Sequence, residues 1–401
     1  MAKILYCGDC AVQTGFGRVA EGLLPIISQE HEVVVLAVNY WGDPHNLPYK
    51  LYPAMLGGSD PFGTHRIAEI LEKETPDMVI AVNDIWIINQ LWEKAKPVKK
   101  RLDFKWYGYF PTDSYGFFAD VFTPAKEWDG MGTYTQFGLK EVRKAKCDLP
   151  CDVLPHGVDR STFFKTDQAE ARKQLGLDPD QFIVFNGNRN QPRKRIDLTL
   201  KGFIQFAKNA PDARLWLHMG TKDQGWDLLP LFDRIARDYD YDPTGKIMLT
   251  SNDFDVSKCL TQERLNLVYN AVDVGVNTCI GEGWGLVNFE HAATGTAQIV
   301  PDHTSMREIF NGIPRMDIES WEVDRNYGLD RGIPSPGHLA DILTHYYEHR
   351  DDLQKVADWC FDMTQQDFYT WEVIGDAFLQ VIDRTLKAPT NYGTKRQIKE
   401  A

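Results

Sequence analysis

The chain has 401 residues, of which 43% are apolar and 12% aromatic, and its formal net charge is −13. At roughly 150 residues per domain this length predicts two or three domains, and the apolar content excludes a largely disordered chain. The longest apolar runs, such as 33–38 and 78–82, are shorter than the roughly 20 residues that span a bilayer. The first residues also lack the layout of a secretory signal, so we expect a cytoplasmic protein without a membrane span.

Short apolar runs alternate with helix-length amphipathic stretches, the pattern of parallel sheets covered by helices on both faces. The first series of predicted strands comprises 3–7, 32–38, 77–82, 105–110, 130–134 and 152–154. The second series comprises 182–187, 213–218, 246–250, 272–276 and 297–300. Two doubly wound α/β domains follow, joined by a hinge within 157–180, and the pattern after Gly337 is wholly helical.

Seven cysteines form an odd set, and in the expected compartment we predict reduced thiols. Cys7 and Cys10 have a spacing known from zinc sites, but no histidine lies near them at ligand spacing. Asp253 and Asp255 have the spacing of a metal-binding pair, and we interpret them as part of an ordinary turn. No metal and no cofactor are therefore expected.

A glycine-rich acidic stretch, Gly281–Ala293, lies between a predicted strand and a predicted helix. Its glycines let backbone N–H groups approach a ligand, and the positive end of the helix dipole suits a phosphate. Glu282 and Glu290 are eight residues apart, which is about 12 Å along a helix. The two carboxylates could therefore bind hydroxyls at both ends of a ligand built from a sugar, a diphosphate and a ribose.

A basic loop, 187–197, also follows a predicted strand and precedes a predicted helix. It carries four cations within seven residues, namely Arg189, Arg193, Lys194 and Arg195. Ligands of open α/β sheets gather at the carboxyl ends of the strands, where such cations suit a diphosphate. A solvated basic loop is the alternative, and the glycine-rich acidic stretch favours the diphosphate site.

Together these residues resemble family-4 glycosyltransferases, retaining enzymes of the GT-B fold that use nucleotide-activated sugars. Glu282 and Glu290 match the family's Glu-x7-Glu signature, with Trp284 in place of the commoner aromatic residue. Arg189 and Lys194 fall on the Arg and Lys that hold the donor diphosphate in family members.

Two further segments carry the same resemblance. Residues 154–159 are similar to the family's hinge sequence Pro-Asn-Gly-Val-Asp, and Gly15-Phe16-Gly17 is similar to the glycine loop that closes over the sugar and phosphates. Many members also carry a histidine that contacts the reacting sugar, after a central strand of the first domain. The comparable stretch here, 109–114, has no histidine, and Asp113 is the candidate for that role.

The resemblance implies a GT-B fold, with two doubly wound Rossmann-like domains facing a cleft. It implies an acceptor-binding domain over 1–156, a donor-binding domain over 157–368, and a helix with a frayed tail over 369–401 that returns to the first domain. The implied activity is metal-independent transfer of a hexosyl or pentosyl group, with retention, from a nucleotide-diphosphate sugar to a hydroxyl acceptor. The implied roles are catalytic for Arg189, Lys194, Glu282 and Asp113, donor-binding for Gly15, Gly17, Gly283, Trp284, Gly285 and Glu290, and acceptor-binding for Asp84 and Asp113.

Three other functions compete with this interpretation. A sugar-nucleotide epimerase shares the GT-B shape but not the Glu-x7-Glu pair, and a non-catalytic sugar-binding module would not need these charged residues intact. Residues 15–20 also match a Gly-x-Gly-x-x-Ala dinucleotide fingerprint. The next strand, however, ends in Val38-Asn39-Tyr40 without the acidic residue that an NAD ribose requires, which disfavours an oxidoreductase.

The class of acceptor stays open between a small molecule, a glycan, a lipid-linked intermediate and a modified DNA base. Basic clusters at 94–105 and 140–146 are either solvated helix ends or contacts for phosphates. The net charge of −13 disfavours a nucleic-acid partner.

Overall fold

A computed structural model describes residues 1–250 and 260–389, and its chain divides into two compact units. Unit 1 comprises Met1–Thr112, Gly116–Gly157 and the chain from Phe368 onward. Unit 2 comprises Asp113–Tyr115 and Val158–Asp367, so that three residues of the predicted first domain lie with the second unit. The predicted turn at Asp253–Asp255 and the predicted frayed tail after Pro389 lie outside the described residues.

Unit 1 is built on a parallel sheet in which seven strands are described, in the order β3-β2-β1-β4-β5-β6-β7. The strands are β1 (Lys3–Gly8), β2 (Glu32–Ala37), β3 (Lys50–Pro53), β4 (Met78–Val82), β5 (Lys105–Phe110), β6 (Gly130–Thr133) and β7 (Asp152–Val153). Its first helices are α1 (Gly15–Glu30), α2 (Ile67–Glu74), α3 (Ile85–Lys99) and α4 (Gln136–Lys144). The central strands are almost continuously buried, as expected where helices cover both faces of a parallel sheet.

Unit 2 contains a second parallel sheet, whose described strands run in the order β10-β9-β8-β11-β12. They are β8 (Phe182–Asn186), β9 (Ala213–Leu217), β10 (Ile247–Leu249), β11 (Val274–Val276) and β12 (Ala297–Ile299), and β13 (Ile318–Val323) and β14 (Asp330–Pro334) form a separate antiparallel hairpin. The helices are α5 (Gln168–Leu175), α6 (Ile196–Ala207), α7 (Leu228–Asp238), α8 (Gln262–Ala271), α9 (Leu286–Ala293), α10 (Thr304–Ile309), α11 (Pro336–Glu348) and α12 (Arg350–Thr364). The last helix, α13 (Trp371–Lys387), packs against α1 in unit 1.

The predicted fold class, two doubly wound α/β sheets, is confirmed by this topology. Each predicted strand occurs, with ends that differ by no more than two residues. The sequence interpretation missed β3 and the β13–β14 hairpin. Strand β3 has only four residues and ends in a proline at the edge of its sheet. Strand β13 contains two glutamates among its six residues and is mostly exposed. Neither strand therefore has the continuous apolar run of a buried strand.

The basic clusters of the sequence are largely engaged within unit 1. In the first cluster Lys96 pairs with Glu127 at 2.6 Å and Arg101 pairs with Glu72. In the second, Lys144 pairs with Glu141 at 2.6 Å, while Arg143 donates to the carbonyl oxygens of Cys147 and Leu149. These contacts satisfy several of the cations on which the alternative of phosphate binding depended.

One cation of the first cluster, Lys99, is part of the core. Its side chain and that of Asp129 are each 1% exposed, and the Lys99 Nζ donates to Asp129 Oδ2 at 2.8 Å. The same carboxylate accepts the backbone N–H of Trp106 at 2.8 Å. The pair therefore ties α3 to β5 through the segment before β6.

Among the described residues, no helix has both the length and the apolar character needed to cross a membrane.

Replacing Lys99 with methionine should lower the free energy of unfolding by about 3 kcal/mol, because Asp129 would keep a buried charge without its main partner. Urea unfolding followed by circular dichroism measures the change. The matched control is Lys100→Met, which removes an exposed neighbouring lysine and should leave stability within about 0.5 kcal/mol of the parent. Equal midpoints for the two variants would contradict a structural role of the buried pair.

Candidate active site

Two loops of unit 2 meet where the order of its sheet reverses. Strands β8 and β11 are neighbours, and the chain leaves them at the same edge through the loops 187–195 and 277–285. The loops are joined by a hydrogen bond from the Ile280 N–H to the Arg193 carbonyl oxygen at 2.9 Å. In open α/β sheets this reversal is where ligands bind, so the basic loop and the glycine-rich acidic loop lie side by side at a candidate site.

The centre of the site is a buried ion pair between Lys194 and Glu282, which are 8% and 5% exposed. Lys194 Nζ also donates to Asn188 Oδ1 at 3.0 Å, and Glu282 Oε1 accepts from Asn277 Nδ2 at 3.4 Å. A second cation, Arg193, has its Nη1 3.4 Å from Glu282 Oε2 and 3.1 Å from the Gly281 carbonyl oxygen.

These cations fix the protonation state of Glu282. Burial alone would raise the pKa of its carboxyl, but Lys194 and Arg193 outweigh that effect and lower the pKa to about 2. Glu282 is therefore ionised at neutral pH and acts only as a hydrogen-bond acceptor.

Polar side chains hold both loops in place. The Asn188 backbone N–H and its side-chain amide both donate to Asn186 Oδ1 at 3.0 Å, directly after β8. After β11, Asn277 Nδ2 donates to Asn288 Oδ1 at 2.9 Å, and the Thr278 hydroxyl donates to the Arg195 carbonyl oxygen at 2.9 Å. The buried ions thus sit in a network that leaves the loops little freedom.

Asp113 lies next to the loop that carries Glu282, within unit 2. Its Oδ2 is 3.0 Å from Arg331 Nη1, and its Oδ1 accepts from the Ser114 hydroxyl at 2.8 Å. Burial would raise the pKa of the Asp113 carboxyl, but Arg331 and then Arg193 outweigh it, so that the pKa lies below its ordinary value. The structure therefore brings the predicted residues Asp113, Lys194 and Glu282 to one cluster through Arg193.

Gly281 permits the close approach of Asp113 to the acidic loop. A Cβ atom at position 281 would lie 2.0 Å from the Asp113 carbonyl oxygen and 2.7 Å from Arg331 Nη1. The first of these atoms belongs to the backbone and cannot rotate away. Any other residue at this position would therefore require the backbone to shift.

The other predicted donor-binding residues of unit 2 surround the start of α9. Gly285 precedes the helix with a φ of 88°, and Trp284 packs edge to face against Phe289 with ring centroids 5.2 Å apart. Gly283 is buried next to Trp284, and Glu290 lies in the helix and is 6% exposed. Their roles toward a donor stay predictions.

Arg189 has a different setting from Lys194. Its guanidinium forms a two-pronged ion pair with Asp223, with Nε to Oδ2 at 2.6 Å and Nη2 to Oδ1 at 3.2 Å. Asp223 lies in the loop after β9, so Arg189 is anchored toward that loop. The predicted catalytic role of Arg189 stays a prediction.

The predicted residues of unit 1 lie where the order of its own sheet reverses, between β1 and β4. Gly15 begins α1, and the Gly17 N–H donates to the Thr14 hydroxyl at 3.0 Å. Asp84 follows β4 and directly precedes α3. All three are therefore at the strand ends where such sheets bind ligands, and their roles stay predictions.

Two charged residues of the cluster, Arg193 and Arg331, were not assigned a role from the sequence. Arg193 belongs to the basic loop, but the family resemblance pointed to Arg189 and Lys194 there, and nothing in the sequence singled out Arg193. Arg331 is 218 residues from Asp113 and lies in a hairpin that the sequence did not reveal. The contacts of Arg331 depend on tertiary structure, which no local pattern encodes.

Two Rossmann-like units built on parallel sheets give the chain the GT-B fold, which solved glycosyltransferases share. The structure resembles a sucrose-phosphate synthase from Thermosynechococcus elongatus with a TM-score of 0.74 and 16% identity, over 97% of this chain and all of that one. It also resembles Anabaena HepE in complex with UDP and glucose, with a TM-score of 0.70 and 14% identity, over 96% of this chain and all of that one.

In sequence, the chain is 28% identical over 201 residues to the D-inositol 3-phosphate glycosyltransferase of Segniliparus rotundus. The match covers 48% of this chain and 40% of the relative, so the chain spans less than half the length of this curated relative. No protein-family model matches the chain. The resemblance to glycosyltransferases of the GT-B fold is confirmed, and membership in family 4 stays a prediction.

Replacing Gly281 with alanine should destabilise unit 2 by about 1–3 kcal/mol, because the added methyl group would overlap the backbone of Asp113. Thermal unfolding measures the effect. Gly337→Ala is the matched control in the same unit, since the nearest atom to a Cβ there is 3.7 Å away. If both variants unfold at the temperature of the parent, the close approach of the two segments is wrong.

Proposed function

We propose that this chain is a glycosyltransferase that transfers a hexosyl or pentosyl group from a nucleotide-diphosphate sugar to a hydroxyl acceptor, with retention and without a metal ion. The observation that carries the proposal is the cluster of Lys194, Arg193 and Glu282 at the reversal of the second sheet. It combines cations suited to a diphosphate with an ionised acceptor suited to sugar hydroxyls.

The cations would stabilise the leaving group. As the bond between the anomeric carbon and the diphosphate breaks, negative charge grows on the phosphate oxygens and positive charge on the sugar ring. Lys194 is held by Asn188 and Glu282, and Arg193 by Gly281 and Glu282, so both are fixed before a ligand arrives. Charges placed in advance in this way require little reorganisation during the reaction, and they supply the positive charge that a metal ion supplies elsewhere.

The state of Glu282 argues against two of the roles that a carboxylate can take in glycosyl transfer. With a pKa of about 2 it carries no proton to donate at neutral pH, and two cations reduce its strength as a nucleophile. Glu282 would instead orient sugar hydroxyls. The acceptor oxygen would then attack the anomeric carbon from the face that the diphosphate leaves, and its proton would pass to a leaving phosphate oxygen.

For the donor, UDP-sugars are the first compounds to test. A structure of Anabaena HepE holds UDP and glucose, and a related structure holds UDP-glucose. Glu290 would bind the ribose hydroxyls, which all nucleoside diphosphates share, so the base has to be found by experiment. For the acceptor, the ion pairs of both basic clusters and the net charge of −13 favour a small molecule or a glycan over a modified DNA base.

The experiment that tests the proposal incubates the purified chain with UDP-glucose and other nucleotide sugars, alone and with hydroxyl acceptors, in excess EDTA. Release of the nucleotide is measured, and proton NMR reads the anomeric configuration of the product. We expect acceptor-dependent release and a product with the configuration of the donor. An inverted product contradicts retention, and loss of activity in EDTA contradicts metal independence. Conversion of the sugar without an acceptor indicates an epimerase, and binding without turnover indicates a sugar-binding module.

Lys194→Gln and Arg193→Gln should each lower kcat by about 10²–10³, because each removes a cation from the leaving diphosphate. Initial rates at saturating donor measure this, at a temperature where circular dichroism shows each variant folded. Lys222→Gln, an exposed cation of the same unit that pairs with Asp227 at 3.0 Å, is the control and should keep full activity. Arg189→Gln tests the predicted role of that residue, and activity equal to that of the control would remove it from the site.

A further inference from the structure

We propose that Arg331 is a positioning residue of the candidate active site, delivered by the β13–β14 hairpin to hold the Asp113 carboxylate in place beside the Glu282 loop. This inference rests on the proposed function and adds to it a residue from an element outside both sheets. The β13–β14 hairpin is a separate element that pairs with neither parallel sheet, and the inference gives it a role in the site.

Arg331 is buried although much of its hairpin is exposed. The residue is 5% exposed, whereas the last five residues of β13 are all exposed. Its Nη1 makes two contacts with one residue, 3.0 Å to the Asp113 carboxylate and 3.1 Å to the Asp113 carbonyl oxygen. The guanidinium thus fixes both the backbone and the side chain of Asp113.

The hairpin also binds the backbone that follows Asp113. Tyr115 forms an isolated antiparallel bridge with Asp330, through hydrogen bonds of 3.2 and 3.0 Å, so that its backbone is joined to the start of β14. The Tyr115 ring packs edge to face on Trp321 of β13, with centroids 5.1 Å apart. Asp113 is therefore held by the hairpin from two sides, by the arginine and by the bridge.

A chain of contacts leads from the hairpin to Glu282. The Tyr115 hydroxyl accepts the Thr304 N–H at 3.0 Å, and the Thr304 hydroxyl accepts the Glu282 N–H at 3.2 Å. On the other side, Gly281 contacts both Asp113 and Arg331. A shift of the hairpin would consequently disturb the position of Asp113 relative to Glu282.

The charges around Asp113 give the inference a measurable consequence. Arg331 faces Asp113 from the hairpin, with Asp324 3.9 Å from the Arg331 Nε, and Arg193 faces it from the basic loop. Beyond Arg193 lie Lys194 and Glu282. His303 packs against the hairpin at Gly332, and burial lowers its pKa to about 4, so its ring is neutral near pH 7.

The direction of the pH effect follows from these groups. Arg331 is the first of the groups that lower the pKa of the buried Asp113 carboxyl, and burial opposes it. Without Arg331 the largest opposing charge is lost, and the pKa of Asp113 rises. The ionised form is then lost at a higher pH as the solution is acidified, and the acid limb of the activity profile moves upward.

The test measures kcat/KM for sugar transfer against pH for the parent chain, Arg331→Met and Arg331→Lys. We expect the acid limb of Arg331→Met to move up by about one pH unit or more, and that of Arg331→Lys to stay close to the acid limb of the parent chain. Arg325→Met, at an exposed arginine between the two strands of the hairpin, should leave the profile unchanged. In the Asp113→Asn background, Arg331→Met should cause no further shift.

An acid limb that stays in place in Arg331→Met overturns the proposal, even if kcat falls, because a purely structural role lowers activity at every pH. Carbon-13 NMR of the Asp113 carboxyl, assigned with Asp113→Asn, reads the same pKa without turnover and decides the point if a variant is inactive. The two failures remain distinct. A parent chain that transfers no sugar defeats the proposed function, whereas an active parent with an unmoved Asp113 pKa in the variant defeats only the role of Arg331.

Discussion

The buried ion pair between Lys194 and Glu282 is the interaction on which the rest of the site depends. Removing two charges from water costs several kcal/mol per ion, and the cost is offset only where geometry and further hydrogen bonds are good. Here Asn188 accepts a hydrogen bond from Lys194, and the Glu282 carboxylate accepts one from Asn277 and also pairs with Arg193. The loops after β8 and β11 must therefore keep one relative position, because any displacement would leave a buried charge without its partner.

The charge balance of the cluster explains how it can be stable and still suit an anionic ligand. Arg193, Lys194 and Arg331 carry three positive charges, while Asp113 and Glu282 carry two negative charges. Each carboxylate is paired with a cation. The repulsion between the neighbouring cations Arg193 and Lys194 is compensated by Glu282, which both of them contact. Asp324 lies 3.9 Å from Arg331 and balances the third positive charge, while the side chain of Arg193 is 40% exposed, so that this cation is accessible to the proposed diphosphate.

The sequence was sufficient for both parallel sheets apart from β3, and for two members of the buried cluster, Lys194 and Glu282. Buried parallel strands appear in the sequence as continuous apolar runs. The loops that follow β8 and β11 are rich in cations and in glycines, respectively, and this composition indicated Lys194 and Glu282. Among the arginines of the basic loop, however, the resemblance favours Arg189, whereas in the structure Arg193 contacts Glu282 and Arg189 pairs with Asp223. Arg331 had no signal at all, since its importance arises from a contact across 218 residues.

The burial of the Asp113 carboxylate makes a nearby cation necessary. Buried histidines of this chain, such as His291 and His303, have pKa values lowered to about 3 and about 4 by burial, and so remain neutral near pH 7 without a charged partner. A buried aspartate in the same situation would be protonated, or would destabilise the fold as an isolated charge. Arg331 removes that conflict, because it keeps the carboxylate ionised as a pure acceptor. A neutral side chain at this position would need no such arginine, so the carboxylate of Asp113 and the guanidinium of Arg331 act as one unit, to which the hairpin contributes the cation.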